Sequence, residues 1–375
     1  MASILHSLKE IVSFIAAIFM IITFSLILFS LGYSVPYLSQ HIGDPHFAVP
    51  FYLAIPIPIV LFFVEGQMAY IWYILLTSVA ILASFYFGYK GIYPYFKEFF
   101  SKPFSYKHNL FQDVTELFSL SLFFTMLIYY LSLLFGYTPS TIGIEKYPLW
   151  YQMLQTLHAA VYEELIVRFL FLGLPLFLTY RLLGKKLPYY RIFGGGFKMG
   201  TFEIIYLLIS SLIFGFAHMS SWGPWKVIPA FVAGLALGYL YLRYGILASI
   251  VLHFINDFIS APLGISNALL LPFSIITIYF MVAGAVFFIS YSIRIYRHFH
   301  PQPKREKMEI ERPPWLSSTQ KNVDRWIDLR CPICGGDVFQ YVDENHLKCL
   351  RCGNIIELSS YREQSHQSER EGHLL

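Results

Sequence analysis

Residues 11–32 read IVSFIAAIFMIITFSLILFSLG, an uncharged and almost entirely apolar run of 22 residues. A hydrocarbon core about 30 Å thick takes roughly 20 apolar residues in helical conformation to cross, so this run is long enough to span a bilayer. It is longer than the apolar segment of a secretory signal, and no small-residue cleavage site follows it closely. We therefore interpret it as a first transmembrane helix that is retained.

The rest of the chain has the same character. Of its 375 residues, 56% are hydrophobic and 13% charged, whereas soluble domains carry about 25% charged residues. This composition excludes a soluble globular protein of this size. The clear membrane-spanning runs are 11–32, 69–89, 115–137, 151–182, 203–219, 225–243, 246–263 and 267–293. They predict an all-α polytopic membrane protein with about eight transmembrane helices in residues 1–296.

A ninth apolar run, 48–64, is shorter and carries Pro50, Pro56 and Pro58. Proline removes a backbone donor and kinks or ends a helix. This run is therefore interpreted as either a broken span or a re-entrant, interfacial segment, and it is not counted among the eight helices.

Loop charges predict the orientation, because Lys and Arg concentrate on the cytoplasmic side of membrane proteins. The stretch 33–68 contains neither residue, whereas basic clusters lie at 90–107, 181–198 and 294–307. Eight spans with both termini in the cytoplasm place all three clusters inside and 33–68 outside. Nine spans would place 33–47 inside, which fits the charges less well.

The composition changes abruptly after the last span. A polar, basic, Pro-containing linker is expected at 297–328, a compact cysteine segment at 329–358 and a disordered tail at 359–375. Two CxxC pairs, each followed by glycine and separated by fourteen residues, form the cysteine segment: Cys331 with Cys334, and Cys349 with Cys352. This spacing is typical of a four-thiolate structural zinc site, and the segment resembles a zinc ribbon of the CPxCG type. Two disulfides are the weaker alternative, because the basic linker predicts a reducing cytoplasmic location.

Ionisable side chains within bilayer helices are functional candidates, because burying them there is costly. The fourth predicted helix contains Glu163, Glu164 and Arg168. Glu164 and Arg168 are four positions apart, so they share a helix face and are expected to pair. Glu163 lies about 100° around the helix and has no local counter-ion, so we expect it to find a partner on another element.

Two further helices add imidazole and acidic groups. The fifth ends in Phe214-Gly-Phe-Ala-His218, and the seventh contains His253, Asn256 and Asp257, which share one face. Each group could act only as structural glue between helices. Their number on three separate helices favours convergence on one hydrated cavity, where a carboxylate beside a histidine would activate water for hydrolysis. A second histidine with a carboxamide or carboxylate neighbour would stabilise an oxyanion.

EExxxR, FxxxH and HxxxN/D, in this order on separate helices, resemble the CAAX-protease and bacteriocin-processing (CPBP or ABI) family of type II CAAX prenyl endopeptidase-like proteins. The resemblance covers about 145–265. It implies about eight helices enclosing a catalytic cavity. In that cavity Glu163 and His218 would activate water, His253 and Asp257 would form the oxyanion site, and Glu164 and Arg168 would be mainly structural.

One position departs from the pattern. Asp257 stands where many relatives have Asn. An ionised Asp cannot donate to an oxyanion, so Asp257 either stays protonated, orients His253, or leaves the role to Asn256.

The resemblance leaves the catalytic cofactor open, because members have been treated both as metalloproteases and as metal-free glutamate proteases. Glu163, His218 and His253 would be the ligands of a catalytic zinc. The expected substrate is a membrane-associated or prenylated protein or peptide. Membrane lipid and a protein docked on the zinc ribbon are the other expected partners, and no nucleic acid is expected.

Two further functions stay open, a non-catalytic scaffold or immunity-type binding protein and a proton-coupled transporter. The predicted orientation places Glu163 and His218 near the outer interface, whereas the family's eukaryotic prenyl proteases act on cytosolic tails. Either the cavity opens outward or laterally, or the orientation is inverted.

Overall fold

The structure is a computed structural model of the 375-residue chain. It describes residues 2–43, 47–55, 57–101, 109–140, 146–259, 267–300, 331, 333, 339–342 and 346–357. The chain divides into two compact units, Met1–His300 and Pro301–Leu375.

Helices dominate the first unit. They are α1 (Ala2–Ser34), α2 (Gly66–Phe87), α3 (Tyr93–Ser101), α4 (Leu110–Leu134), α5 (Leu149–Glu164), α6 (Leu174–Leu182), α7 (Thr201–Ala217), α8 (Met219–Trp222), α9 (Val227–Tyr244), α10 (Ile246–Phe258) and α11 (Leu270–Phe299). Within the described ranges, seven helical spans are long and apolar enough to cross a membrane, and α10 is a shorter apolar helix. The protein is therefore an integral membrane protein with an all-α polytopic fold, as the sequence predicts.

Each of the eight predicted runs contains a helix, but two differ from a simple span. The run 151–182 is a single span, Leu149–Leu182, in which the nine residues Leu165–Gly173 are π-helical and join α5 to α6. Within the predicted run 246–263, α10 has only 13 residues, and 260–266 lie outside the described residues. π-helical turns inside α-helices are frequent at functional sites.

The proline-containing run 48–64 does not form a helix. It forms an antiparallel hairpin of β1 (Val49–Ile55) and β2 (Ile57–Val64), in which Tyr52 pairs with Val60. The register shifts between Phe51 and Tyr52. Neither of the two interpretations from sequence anticipated strands. Strands are possible in this proline-containing run because a β-hairpin tolerates proline where the missing N–H would face away from the partner strand.

Helices α7 and α9 pack at close range because small residues line their interface. A Cβ on Gly215 of α7 would lie 2.9 Å from the Val227 carbonyl oxygen, and one on Gly234 of α9 would lie 3.1 Å from the Cα of Ser211. Both glycines permit an approach that a larger residue would prevent. Close approach through small residues is common between membrane helices.

A buried ionic cluster at α4 stands apart from the motif residues and was not singled out in the sequence. Glu116 accepts a hydrogen bond from the Tyr291 hydroxyl at 2.5 Å, and its carboxylate lies 3.6 Å from Lys9 Nζ. Nearby on the same helix, Asp113 accepts from the Tyr244 hydroxyl at 2.8 Å and lies 3.4 Å from an Arg243 nitrogen. These pairs join α4 to α1, α9 and α11.

The second unit contains a small antiparallel sheet in the order β3-β4-β5. Its strands are β3 (Phe339–Tyr341), β4 (His346–Cys349) and β5 (Ile355–Glu357). Gly353 has φ +78° in the turn between β4 and β5, a conformation that glycine adopts without steric cost. The turn brings Gly353 N–H within 2.8 Å of the Cys349 carbonyl oxygen.

Candidate active site

Two consecutive carboxylates at the end of α5 have different environments. The Glu164 side chain is fully buried, whereas that of Glu163 keeps 18% of its surface exposed. One residue along a helix is a rotation of about 100°, so the two side chains leave the helix in different directions. Glu164 is thus placed to stabilise the fold, whereas Glu163 is placed to contact solvent or a ligand.

Glu164 has polar and charged partners on the fourth span and on α10. Arg168 Nε lies 3.3 Å from Glu164 Oε2, which confirms the predicted pair. The Ser249 hydroxyl donates to Oε2, and His253 Nδ1 donates to Oε1 at 2.9 Å. Glu164 therefore ties the fourth span to α10.

Glu163 finds its partners on two other elements. The Tyr52 hydroxyl of β1 donates to Glu163 Oε1 at 2.8 Å, and His253 Nε2 lies 3.8 Å from Glu163 Oε2. The sequence predicted a partner outside the helix without identifying it. With Oε1 occupied by Tyr52, Oε2 is the oxygen that remains for chemistry.

A cavity of about 340 Å³ lies beside Glu163, between the hairpin, the fourth span and the end of α7. Glu163 and His218 both line it, so the structure brings these two predicted residues to one space. Its wall is otherwise mainly apolar and aromatic. The lining residues are Pro50, Tyr52, Pro58, Val60, Glu163, Ile166, Val167, Phe214, Ala217, His218, Ser221 and Trp222.

The orientation of His218 is fixed by its own helix. His218 Nδ1 lies 2.8 Å from the Phe214 carbonyl oxygen, which can only accept, so Nδ1 carries the proton of the neutral ring. The lone pair is therefore on Nε2. The Phe214 ring also packs against His218, with centroids 4.6 Å apart, and lies 4.9 Å from the guanidinium carbon of Arg168.

His253 lies between three carboxylates. Besides Glu164 at Nδ1 and Glu163 at Nε2, its Nε2 lies 3.4 Å from Asp257 Oδ2. Asp257 is 30% exposed at its side chain, whereas His253 is 4% exposed. Asn256 is half-buried, and no hydrogen bond within the described ranges joins it to these groups.

An aromatic group that the sequence analysis missed fastens the hairpin to α5. The Tyr162 hydroxyl donates to the Tyr52 carbonyl at 2.7 Å and accepts from the Tyr52 amide at 3.1 Å. Tyr162 stacks on His158, whose Nδ1 accepts from Trp72 Nε1 at 3.0 Å. The one signal in the sequence was the VYEE context, where Tyr162 directly precedes the two acids.

The three side chains named for a catalytic zinc do not converge on one point in the described part of the structure. His253 Nδ1 lies 2.9 Å from Glu164 Oε1, and its Nε2 lies 3.8 Å from Glu163 Oε2 and 3.4 Å from Asp257 Oδ2. In the part of the chain that the structure describes, the membrane unit holds no three His, Cys, Asp or Glu ligand atoms within 4.8 Å of one another. Glu163, His218 and His253 are therefore not assembled as a ligand set.

The cysteines of the second unit do converge. The sulfur atoms of Cys331, Cys349 and Cys352 lie within 4.8 Å of one another, and those of Cys331 and Cys352 are 3.5 Å apart. That separation is far from the roughly 2.05 Å of a disulfide and close to the roughly 3.8 Å between thiolates that share a tetrahedral zinc at about 2.3 Å. Cys334 lies outside the described residues. The three cysteines can bind a metal ion.

The helical spans, the two adjacent acids and the two histidines define a polytopic membrane protein with a polar site inside its bundle. Residues 145–259 match the model of the family described as type II CAAX prenyl endopeptidase Rce1-like. The matched segment is similar to that family, and it contains Glu163, Glu164, Arg168, His218, His253 and Asp257. No curated protein and no solved structure gives a significant match to the chain. Tyr52 and the hairpin lie outside the matched segment.

Proposed function

We propose that the membrane unit is an intramembrane endopeptidase that hydrolyses a peptide bond with water activated by Glu163 and His218. The observation that carries this proposal is the shared cavity, which these two side chains enter from different helices. The family match over the same residues supports peptidase activity. In the proposed reaction, side chains of the protein activate the water.

In the proposed reaction, Glu163 is the general base. Tyr52 holds Oε1, and Oε2 accepts a proton from a water molecule in the cavity. His218 Nε2 accepts a hydrogen bond from the same water, because its Nδ1 proton is committed to the Phe214 carbonyl. The water oxygen attacks the carbonyl carbon of the scissile bond. The proton held by Glu163 then passes to the leaving amine as the C–N bond breaks.

His253 is the proposed oxyanion donor. Its Nε2 lies 3.8 Å from Glu163 Oε2, and in the proposed reaction it donates to the oxygen of the substrate carbonyl that is attacked beside Glu163. Glu164 accepts from Nδ1 at 2.9 Å and Asp257 lies 3.4 Å from Nε2, and both orient the ring. An oxyanion donor that is already in position needs no reorganisation during the reaction. Asp257 thus acts by orienting His253.

The proposed substrate is a membrane-associated or prenylated peptide. A mainly apolar and aromatic wall would receive apolar side chains or a lipid chain next to the reacting bond. The family's printed description, a CAAX prenyl endopeptidase, points to the same class.

In the second unit, we propose a structural zinc held by Cys331, Cys334, Cys349 and Cys352. Three of these sulfurs converge in the described part of the unit. A site closed by four thiolates has no open position for substrate, so it would stabilise the fold or a docking surface and take no part in hydrolysis.

Hydrolysis by the purified protein in detergent tests the proposed function. The probes are quenched-fluorescent peptides, one ending in a farnesylated CAAX sequence and one carrying an apolar membrane anchor. The wild-type protein should cleave at least one of them, and Glu163→Gln should cleave it about a hundred- to ten-thousandfold more slowly, the usual scale of general-base loss.

Glu203→Gln is the matched control for this assay. Glu203 is a buried acid at the start of α7, bonded to the Tyr180 hydroxyl at 2.5 Å. It lies fifteen residues before His218, which is roughly 22 Å along a helix. This variant should keep the wild-type rate per folded molecule. Equal rates for wild type and Glu163→Gln would contradict the proposed function.

A further inference from the structure

The outer edge of β2 lies next to the catalytic cavity and has no backbone partner among the described residues. β1 and β2 form a sheet of two strands, so each strand has one outer edge. On β1, the backbone groups at that edge already have a partner at Tyr52, because its amide and carbonyl both form hydrogen bonds with the Tyr162 hydroxyl. On β2, no backbone hydrogen bond beyond the hairpin's own ladder is made in the described ranges.

The pairing of the hairpin shows which backbone groups face this edge. In an antiparallel pair, two opposed residues either exchange both hydrogen bonds or make neither. Tyr52 directs both groups away from β2, toward Tyr162, and its opposed residue is Val60. The amide and carbonyl of Val60 therefore point to the outer edge of β2. Pro58, two residues earlier, points its carbonyl the same way, and its missing N–H breaks no ladder bond.

The same two residues line the catalytic cavity. Pro58 and Val60 contact the space that Glu163 and His218 also border. A peptide strand laid along this edge would thus run past the proposed general base. A protease needs its substrate in extended form here, since a helix would occupy the amide and carbonyl groups on both sides of the scissile bond in its own hydrogen bonds.

Side-chain chemistry favours an apolar strand. The segment 57–64 reads IPIVLFFV and has no charged residue. Ile59, Leu61 and Phe63 are each about 60% exposed. Natural edge strands are usually blunted by lysine or other charges, and an apolar edge without them is a site for pairing with another chain.

We infer that β2 is a docking edge for the substrate polypeptide, which binds as a third, extended strand bonded to Val60 and passes its scissile bond to Glu163 and His218. This inference rests on the proposed function and deepens it, because it specifies how the substrate is held. Strand addition of this kind draws affinity from main-chain hydrogen bonds and specificity from pockets for alternate side chains.

A binding experiment in the Glu163→Gln background tests this inference without relying on catalysis. The probe is a fluorescent farnesylated CAAX peptide with several apolar residues before the cysteine, and binding is followed by fluorescence anisotropy. Adding Val60→Pro removes the outward N–H and no ladder bond, so the peptide should bind about tenfold more weakly, the scale of one lost hydrogen bond. Val60→Ala keeps that N–H and should bind within about threefold of the parent.

A series of peptides with one N-methylated amide each provides the second readout on the unaltered hairpin. In an added strand, only every second amide faces β2, so binding should fall at alternate positions of the peptide. If Val60→Pro fails to fold, this series decides alone.

Equal sensitivity at all positions, or no binding of the unmethylated peptide, would overturn the docking inference. If wild-type protein hydrolyses the peptide and the alternation is missing, the docking edge is wrong while the proposed function stands. If binding falls at alternate positions but the wild-type protein does not hydrolyse the peptide, the docking edge stands and the proposed function is wrong.

Discussion

Tyr52 of β1 and Glu163 of α5, 111 positions apart in the chain, are joined by a hydrogen bond of 2.8 Å. The bond brings a residue outside the family-matched segment into contact with the proposed general base. It also selects one carboxylate oxygen, Oε2, for the water. A hairpin that appeared in the sequence only as a proline-broken apolar run is thus part of the candidate site.

Tyr52→Phe should lower the rate of hydrolysis about tenfold while leaving the protein folded. The substitution removes the hydroxyl that holds Glu163 Oε1 and retains the ring that lines the cavity. Hydrogen bonds to charged groups contribute about 1.5–3 kcal/mol, and we expect part of this energy to be lost from the stabilisation of the transition state. The rate of peptide hydrolysis at saturating substrate measures this loss. Tyr279→Phe, which removes a hydroxyl bonded to the Val12 carbonyl, is the matched control and should keep full activity. Equal activity of both variants would show that Tyr52 does not position the base.

Glu164→Gln should lose stability before it loses chemistry. Glu164 is fully buried and contacts Arg168, His253 and Ser249. Removing its charge leaves the buried Arg168 guanidinium without its ion-pair partner, and breaking a buried pair costs roughly 3–5 kcal/mol. Thermal unfolding in detergent should show a lower midpoint for Glu164→Gln than for Glu163→Gln, whose carboxylate is partly exposed. A Glu164→Gln protein as stable as wild type but inactive would reverse the roles of the two acids.

The full-length chain should contain one zinc ion, and Cys349→Ser should abolish it. Cys349 is fully buried and its sulfur lies within 4.8 Å of those of Cys331 and Cys352. Metal content is measured by mass spectrometry of the purified protein, with Lys348→Ala on the same strand as the control that keeps its zinc. Hydrolysis should continue in Cys349→Ser, because the four-thiolate site is closed to substrate. Zinc retained by Cys349→Ser would contradict this site.

Both termini should be cytoplasmic and the loop before the hairpin external. The basis is the distribution of Lys and Arg, which are missing from 33–68. In a variant whose four native cysteines are serine, Gly43→Cys should react with an impermeant thiol reagent added outside intact cells. Lys186→Cys, at an exposed position in a basic loop, is the control and should react only after the membrane is permeabilised. The opposite labelling pattern would invert the orientation.

Much of the architecture follows from the sequence, because apolar runs of bilayer length leave the helix as the main solution for the backbone. The same reasoning singles out Glu163, Glu164, Arg168, His218 and His253 as candidate site residues, since ionisable side chains in such runs are rare. It also found the Glu164–Arg168 pair from helical spacing alone.

Other features could not be reached in this way. The strands of 48–64 arise from pairing between two halves of one apolar run, which no helical periodicity reveals. Tyr52, Tyr162 and Trp72 were missed because the sequence is rich in aromatic residues, with 19% Phe, Trp and Tyr. Only contacts across 86 to 111 positions distinguish these three from the rest.

In the proposed reaction, Glu163 and His218 act on one water molecule as a unit. Hydrolysis rates of Glu163→Gln, His218→Ala and the double variant, measured on the same cleaved peptide, show whether they do. Groups that act as a unit are strongly non-additive, so the double variant should be only about as slow as the slower single variant. A double variant whose loss is the product of the two single losses would contradict the claim, because the two residues would then contribute independently.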